Sequence, residues 1–335
     1  MHDPAPLLTS SFLESDNQKC IQSLKRNKYR SGCWVFSIGL VIIIGIIIWL
    51  TRKPASSPSV TLSTNTPRLG VGALTYFVPE SPDYDKLPPG TIALINPNNG
   101  LFTDQNQTAL MASIPQFQET VRRTTARGVF VIGYIPTGNS NHTDGCNIPA
   151  VCQTWNNINN QLTNYAQLFP DLSGIWFDEA CLLAPHDTFQ NVQLEYDDLR
   201  QSFYKYFATK VNTANPLIVF NPGTPYPQYP AAGKKDEIVI IFENSQLAFL
   251  AQQDLVKATQ QAANVNGVRT WMIVNNASED TMDSVVISAA SFNASFVYVT
   301  NYNADWRSGV NTYGQLPSYW EKELTLINNT MPRQV

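Results

Sequence analysis

Two acidic segments of this sequence carry the residues best suited to chemistry. The run GIWFDEA (174–180) ends in the adjacent carboxylates Asp178 and Glu179, and the run EIVIIFEN (237–244) contains Glu243 near its end. Asp and Glu side chains that flank a glycosidic bond are the usual machinery of glycoside hydrolysis, where one carboxyl donates a proton and the other acts as base or nucleophile. The sequence therefore predicts Asp178, Glu243 and Glu179 as catalytic residues.

The motifs of several other functional classes do not occur. The three histidines are His2, His142 and His186, and no HExxH motif or cluster of His ligands is present. The sequence has no GxSxG elbow, no GxGxxG after a strand and no Walker A motif. Its net charge is −4, without a basic stripe, which disfavours nucleic acid. We predict no cofactor, no metal and no nucleotide or nucleic-acid partner, with a metal held by carboxylates alone left open.

Short apolar runs alternate with helical patterns after residue 69, and they must position these carboxylates. The runs are VGALTYFV (71–78), TIALINP (91–97), GVFVIGY (128–134), SGIWFDE (173–179), PLIVFNPG (216–223), EIVIIFEN (237–244), RTWMIVN (269–275) and SFVYVTN (295–301). Continuous hydrophobicity is typical of parallel strands buried on both faces. Eight such strands fit an α/β fold, a (β/α)8 TIM-like barrel of about 250 residues. An open doubly wound sheet is the alternative, but its nucleotide motif is absent.

Apolar side chains at helical spacing predict the helices between the strands. The predicted stripes are Ile114, Phe117 and Val121; Tyr196, Leu199, Phe203 and Phe207; Leu247, Leu250 and Ala251; Met282, Val285, Val286 and Ala289; and Tyr319, Trp320, Leu324 and Ile327. The first connection between strands is short and rich in proline, so its helix is the weakest of the pattern.

Polar residues finish nearly every predicted strand, at the end of a barrel where active sites lie. Besides the carboxylates, the predicted substrate-binding residues are Asn96, Tyr134, Asn221, Asn275 and Asn301. Strands four and six are about 9 to 10 Å apart, which would bring Asp178 and Glu243 within roughly 5 to 9 Å of each other. Since adjacent strand residues face opposite sides, only one of Asp178 and Glu179 should oppose Glu243. A salt bridge or an N-cap is the structural alternative for Asp178 and Glu243.

Five blocks resemble, in order and spacing, the spherulin-4-like cell-surface family of fungi and slime moulds. They are ALINPNNG (93–100), GVFVIGYIPTG (128–138), GIWFDEA (174–180), VFNPGTP (219–225) and IVIIFEN (238–244). The resemblance implies a (β/α)8 glycoside hydrolase related to fungal endo-α-1,4-N-acetylgalactosaminidases, which cleave galactosaminogalactan.

The resemblance also implies roles for individual residues. It makes Asp178 the nucleophile of a retaining, endo-acting enzyme and Glu243 its acid/base, with Glu179 in support. Asn96, Tyr134 and Asn221 would line the sugar subsite. Trp176, Trp271 or Trp306 would offer a stacking face to the sugar.

The N-terminal part of the chain predicts a membrane anchor. The run WVFSIGLVIIIGIIIWL (34–50) lies in an uncharged window, 31–51, long enough to cross the roughly 30 Å of a hydrocarbon core. Five Lys and Arg residues precede it closely, whereas three follow, which places residues 1–33 in the cytosol. Residues 51–68, rich in Ser, Thr and Pro, read as a stalk before a barrel spanning 69–335. We expect a single-pass type II membrane protein with its C-terminal domain outside the cell or in the Golgi lumen, rather than a cleaved signal peptide.

Sequons and cysteines agree with that orientation. The predicted N-glycosylation sites are Asn106, Asn141, Asn276, Asn293 and Asn328. Cys146 and Cys152 would close a short disulfide loop, in an insertion that follows GYIPTG at the predicted catalytic rim.

The predicted function is therefore a membrane-anchored glycoside hydrolase acting on a hexosamine-containing polysaccharide. A non-catalytic glycan-binding or wall-structural protein with the same fold is the alternative. A glycosyl-transfer role in the secretory pathway is disfavoured by the missing nucleotide-sugar and metal motifs.

Overall fold

Eight parallel strands close into a barrel in this computed structural model, which describes residues 69–97, 107–142, 152–180, 188–303 and 311–330. The strands are β1 (Gly70–Ala73), β2 (Ile92–Ile95), β3 (Phe130–Pro136), β4 (Gly174–Asp178), β5 (Leu217–Asn221), β6 (Ile238–Ser245), β7 (Arg269–Asn275) and β8 (Phe296–Val299). Each strand pairs with the next in sequence, and β8 pairs with β1. The predicted barrel is confirmed, and the open sheet is wrong.

Helices connect these strands. They are α1 (Gln107–Ala126), α2 (Trp155–Leu168), α3 (Phe189–Phe203), α4 (Gln228–Ala232), α5 (Gln246–Asn266), α6 (Glu279–Phe292) and α7 (Trp320–Asn329). A short 3₁₀ helix, Pro82–Lys86, occupies the weak first connection. The predicted stripe on α5 is wrong, because Leu247 and Leu250 are 76% and 50% exposed while Phe249 and Val256 face the barrel.

Two tryptophans fill the barrel interior. Trp176 and Trp271 meet edge to face with ring centroids 5.2 Å apart, and both are fully buried. Residue 72 must be glycine here, since a Cβ at Gly72 would lie 2.2 Å from the Trp271 ring. Neither indole presents a face to solvent, so the stacking role predicted for both is wrong, and Trp306 lies outside the described residues.

A β-bulge in β6 decides which face Glu243 occupies. The pairing with β7 shifts between Ile240, which is paired with Trp271 of the interior, and Phe242. Ile241 and Phe242 both join the apolar cluster that packs with α5 and α6. In a regular strand, Phe242 would face the barrel interior as Ile240 does, because it lies two residues later. The extra residue of the bulge reverses this alternation, so that Glu243 faces inward instead of Phe242.

The predicted tail (1–33), membrane span (34–50) and stalk (51–68) lie outside the described residues. Among the helices that the structure describes, none combines the length and apolar character needed to cross a bilayer. Cys152 is disulfide-bonded, whereas Cys146 lies outside the described residues, so their pairing stays a prediction.

The predicted glycosylation sites differ in exposure. Asn141, Asn276 and Asn328 are exposed, Asn293 is half-buried, and Asn106 is not among the described residues. Glycosylation itself stays a prediction at all five.

Candidate active site

Three neutral donors hold the carboxylate of Asp178, the last residue of β4. The Tyr134 hydroxyl donates to Oδ2 at 2.6 Å, and Trp176 Nε1 donates to Oδ1 at 3.2 Å. Asn221 Nδ2 donates to the same Oδ1 at 2.5 Å. Tyr134 and Asn221 come from the flanking strands β3 and β5, while Trp176 lies two residues earlier on the same face of β4. Such donors favour the ionised form of the carboxyl.

Glu243 shares one of these donors with Asp178. Asn221 Nδ2 also donates to Glu243 Oε2 at 2.6 Å, and the Tyr313 hydroxyl donates to Oε1 at 3.0 Å. The amide of Asn221 is oriented by the backbone N–H of Gly223, which donates to its Oδ1 at 2.9 Å. Because Asp178 Oδ1 and Glu243 Oε2 contact one nitrogen, they are no more than about 5 Å apart, the two bonds laid end to end. The structure therefore brings the two predicted carboxylates together across β5.

Burial has the largest effect on the pKa values of this pair, and no cation from the described part of the chain is among their partners. Burial raises the pKa of Asp178, and its donors Tyr134, Trp176 and Asn221 oppose that rise. Burial and the charge of Asp178 raise the pKa of Glu243 to about 7, against the hydrogen bonds from Asn221 and Tyr313. Two carboxyls this close favour sharing a single negative charge. Asp178 has the larger number of donors, which favours the ionised form of Asp178 and the protonated form of Glu243.

Glu179 lies next to Asp178, but its backbone does not have the extended conformation of β4. Its φ of 55° is left-handed, so the strand alternation ends at Asp178. Its carboxylate accepts the backbone N–H of Gly138 at 3.2 Å, and its carbonyl accepts the Thr137 hydroxyl at 2.9 Å. Burial and the charge of Asp178 raise the pKa of Glu179 to about 7. Glu179 thus joins β4 to the segment after β3, while Asp178 is the residue that opposes Glu243.

The remaining predicted binding residues divide into two groups. Asn275, at the end of β7, is buried and hydrogen-bonded to Tyr313, and half-buried Asn96 directly follows β2. Asn301 is different, since its Oδ1 accepts the backbone N–H of Ser318 at 3.0 Å. That hydrogen bond links β8 to the segment before α7, so the side-chain oxygen of Asn301 has a structural role.

Two tyrosines of the site were missed by sequence reasoning. Tyr313 lies between β8 and α7, where no strand-end pattern marks it, and Tyr76 was read as part of an apolar strand. The Tyr76 ring packs edge-on against Tyr134 and Tyr313, with centroids 5.9 and 5.6 Å apart. In the described ranges no group of three or more His, Cys, Asp or Glu side chains is arranged to hold a metal ion.

Sequence comparison finds a matching family and a related protein. The family described as Spherulation-specific family 4 matches residues 86–327. Spherulin-4 of Physarum polycephalum is 26% identical over 245 residues, which span 71% of this chain and 62% of that relative.

Two solved structures share the fold. Aspergillus clavatus Sph3, solved in complex with GalNAc, has a TM-score of 0.50 and 15% identity, covering 78% of this chain and 98% of Sph3. A GH5-4 broad-specificity endoglucanase from Bacteroides salanitronis has a TM-score of 0.50 and 10% identity, covering 80% and 94%. The barrel therefore has the fold of known glycoside hydrolases.

Proposed function

The chain belongs to the Spherulation-specific family 4, and on that premise we propose that its barrel is a glycoside hydrolase whose catalytic pair is Asp178 and Glu243. The observation that carries this proposal is the single amide nitrogen of Asn221 that donates to both carboxylates. The limit of about 5 Å applies to the two oxygens that share this nitrogen, and it favours the roughly 5 to 5.5 Å separation of retaining glycosidases over the roughly 6.5 to 9.5 Å of inverting ones.

The hydrogen bonds suggest how the two roles divide. Glu243, with its pKa raised to about 7, donates its proton to the glycosidic oxygen as the bond from that oxygen to the anomeric carbon breaks. The ionised Asp178 attacks the anomeric carbon and forms a covalent ester with the sugar. Water then attacks the same carbon, Glu243 takes up its proton, and Asp178 leaves as a carboxylate. Glu179 supports this arrangement through its bond to Gly138.

The proposed substrate is a polysaccharide that contains N-acetylhexosamine, such as galactosaminogalactan. The complex of the similar Sph3 with GalNAc supports this choice. We further propose that the apolar run 34–50 anchors the enzyme as a type II membrane protein and presents the barrel to extracellular or lumenal glycans.

Hydrolysis by the full-length chain, purified in detergent, tests the proposal. Galactosaminogalactan, chitin and cellulose are incubated with the wild type, with Asp178→Asn, and with Asp254→Asn, which changes an exposed aspartate on α5. We expect the wild type and Asp254→Asn to release oligosaccharides from the first substrate, and Asp178→Asn to release none. NMR of the first products should show the anomeric configuration of the substrate.

Failure of the wild type to cleave any of these glycans would overturn the enzymatic proposal, as would undiminished turnover by Asp178→Asn. Binding of the glycan that survives Asp178→Asn and Glu243→Gln together, without product, would instead identify a non-catalytic glycan-binding protein.

A further inference from the structure

Most hydrogen-bond donors around the carboxylate pair already donate to Asp178 or Glu243, whereas one does not. Tyr134, Trp176, Asn221 and Tyr313 all donate to Asp178 or Glu243. Their protons are therefore committed to the protein itself. A sugar bound at this pair presents hydroxyl, ring and carbonyl oxygens that need donors, and the ionised Asp178 can only accept.

Tyr76 is the exception among these aromatic and amide neighbours. It follows β1, is half-buried, and its hydroxyl makes no hydrogen bond with any residue in the described ranges. Its ring is wedged between Tyr134 and Tyr313, the two tyrosines that hold Asp178 and Glu243 respectively. Tyr76 therefore lies beside both tyrosines that hold the carboxyls, close enough to Asp178 and Glu243 to feel their charges.

The backbone of Tyr76 is fixed to the same side of the site. Asn311 Nδ2 donates to the carbonyl of Tyr76 at 2.9 Å, and Asn311 Oδ1 accepts the backbone N–H of Tyr313 at 3.1 Å. One asparagine thus ties Tyr76 to the tyrosine that orients Glu243. The ring is held by packing and the main chain by Asn311, so the hydroxyl contributes nothing to either attachment.

The protonation state of Tyr76 suits a donor. Burial raises its pKa well above the ordinary value, and the negative charges of Asp178 and Glu243 raise it further. The hydroxyl therefore keeps its proton throughout the range in which the carboxyls titrate. A protonated hydroxyl can donate a hydrogen bond to an acceptor oxygen of a ligand.

Resting on the proposed function, we propose that Tyr76 is a substrate-contacting residue whose hydroxyl donates a hydrogen bond to an oxygen of the sugar unit held between Asp178 and Glu243. The ligand class is a sugar ring that offers an acceptor oxygen, such as a ring oxygen, a hydroxyl or an N-acetyl carbonyl, to the Tyr76 hydroxyl.

Tyr76→Phe removes only the hydroxyl and keeps the edge-on packing, so its thermal denaturation should match that of the wild type. The matched control is Tyr84→Phe, in the same connection after β1, whose hydroxyl donates to the Thr75 carbonyl at 3.3 Å instead. The full-length proteins are titrated calorimetrically with N-acetylgalactosamine, which cannot be cleaved, and assayed on galactosaminogalactan.

We expect Tyr76→Phe to weaken sugar binding about 3- to 10-fold, the worth of one net hydrogen bond. Its kcat/KM should fall by at least that factor, with unchanged pH limbs because the donors to both carboxylates are intact. Tyr84→Phe should match the wild type in both assays. Equal binding and equal turnover by Tyr76→Phe and wild type would overturn the inference.

The two proposals fail separately. If the wild type binds the sugar but cleaves no glycan, and Tyr76→Phe weakens that binding, the role of Tyr76 stands while hydrolysis falls. If the wild type neither binds the sugar nor cleaves any glycan, both are overturned.

Discussion

A glutamate lies near each end of β6, buried Glu237 before it and half-buried Glu243 near its other end, in opposite electrostatic settings. Glu237, directly before the strand, receives both arms of the Arg200 guanidinium at 2.5 and 2.7 Å, with both side chains less than a tenth exposed. Glu243, near the other end, receives neutral donors alone among the residues that the structure describes, and the charge of Asp178 raises its pKa. The carboxylate at the start of β6, the bottom of the barrel, is thus neutralised by a cation, whereas the carboxyl near the end of β6, the mouth of the barrel, is not.

The difference between Glu237 and Glu243 assigns one glutamate to stability and the other to reactivity. Opposite charges at the bottom stabilise each other, and the pKa of Arg200 is raised because the hydrogen bond and charge of Glu237 outweigh the effect of burial. At the mouth, an added cation would hold Glu243 ionised and remove its value as an acid. The bottom should thus respond to mutation in folding, and the mouth in activity.

Replacing Glu243 by Gln should produce the largest effect, a loss of activity, together with a change in how stability depends on pH. Loss of a general acid lowers the rate about 10²- to 10⁴-fold. Because the pKa of Glu243 in the folded protein is raised to about 7, folding favours the protonated carboxyl. Its contribution to stability is therefore complete below the pKa of the unfolded chain and is lost as the pH rises through 7. Thermal denaturation from pH 4.5 to 8 should show this decline in the wild type and less of it in Glu243→Gln.

The control for this variant is Glu119→Gln, whose side chain is 59% exposed on α1. It should leave both the rate and the pH profile of stability unchanged. A Glu243→Gln protein that is active, or that is markedly less stable at pH 8, would erase the distinction between the two ends of β6.

Replacing Arg200 by Met should have the opposite signature. Glu237 would stay buried without its cation, which typically lowers the free energy of unfolding by about 3 to 5 kcal/mol. The activity of the folded fraction should be retained. Denaturant unfolding measures the loss, with Arg122→Met, 63% exposed, as the control expected within about 0.5 kcal/mol of wild type.

A second substitution sharpens that test. Adding Glu237→Leu to Arg200→Met removes the orphaned charge and should recover part of the lost stability. If Arg200→Met unfolds at the same denaturant concentration as the wild type, the bottom pair does not stabilise the fold.

A smaller effect is expected from Tyr313→Phe, which alters the setting of Glu243 without removing it. The Tyr313 hydroxyl favours the ionised form of Glu243, so its loss raises the pKa of that carboxyl further. The alkaline limb of kcat/KM should move up by about one pH unit. Tyr204→Phe, on the exposed surface, should leave the limb in place, and a downward shift in Tyr313→Phe would contradict the role given to its hydroxyl.

The mouth and the rest of the barrel also differed in how far sequence could predict them. The strands were predictable because a buried parallel strand leaves a local apolar pattern, and Asp178 and Asn221 do end their strands. The helix α2 was not, since its apolar residues Ile158, Leu162 and Tyr165 are interspersed with asparagines.

Tertiary features account for what was missed at the site. The bulge that turns Glu243 inward lies between apolar residues, so no change of composition marks it. The left-handed φ of Glu179 cancels the alternation rule at one residue. Tyr76 and Tyr313 reach the site from connecting segments, where residue type alone does not report direction.

A third carboxylate, Glu195 on α3, lies between the two extremes because its cation can titrate. His142, in the segment after β3, has Nε2 3.0 Å from Glu195 Oε1 and Nδ1 2.6 Å from the carbonyl of Gln153. Both ring nitrogens face acceptors, an arrangement that favours the doubly protonated, charged ring. The ring stacks on Trp155 at 4.1 Å, and Asp198 adds a second negative charge.

His142→Asn should therefore give the smallest effect, and one that depends on pH. Burial lowers the pKa of His142, but Glu195 outweighs it and raises the pKa above the ordinary value. The pair thus stabilises the fold below about pH 6.5 and loses this contribution as pH rises through the raised value. Thermal denaturation should show His142→Asn less stable than wild type by about 1 to 2 kcal/mol at pH 5.5, narrowing by pH 8.5. Glu195→Gln should also reduce the change in stability between pH 5.5 and pH 8.5. If the loss of stability in His142→Asn is the same at every pH, His142 stabilises the fold by packing on Trp155 rather than by its charge.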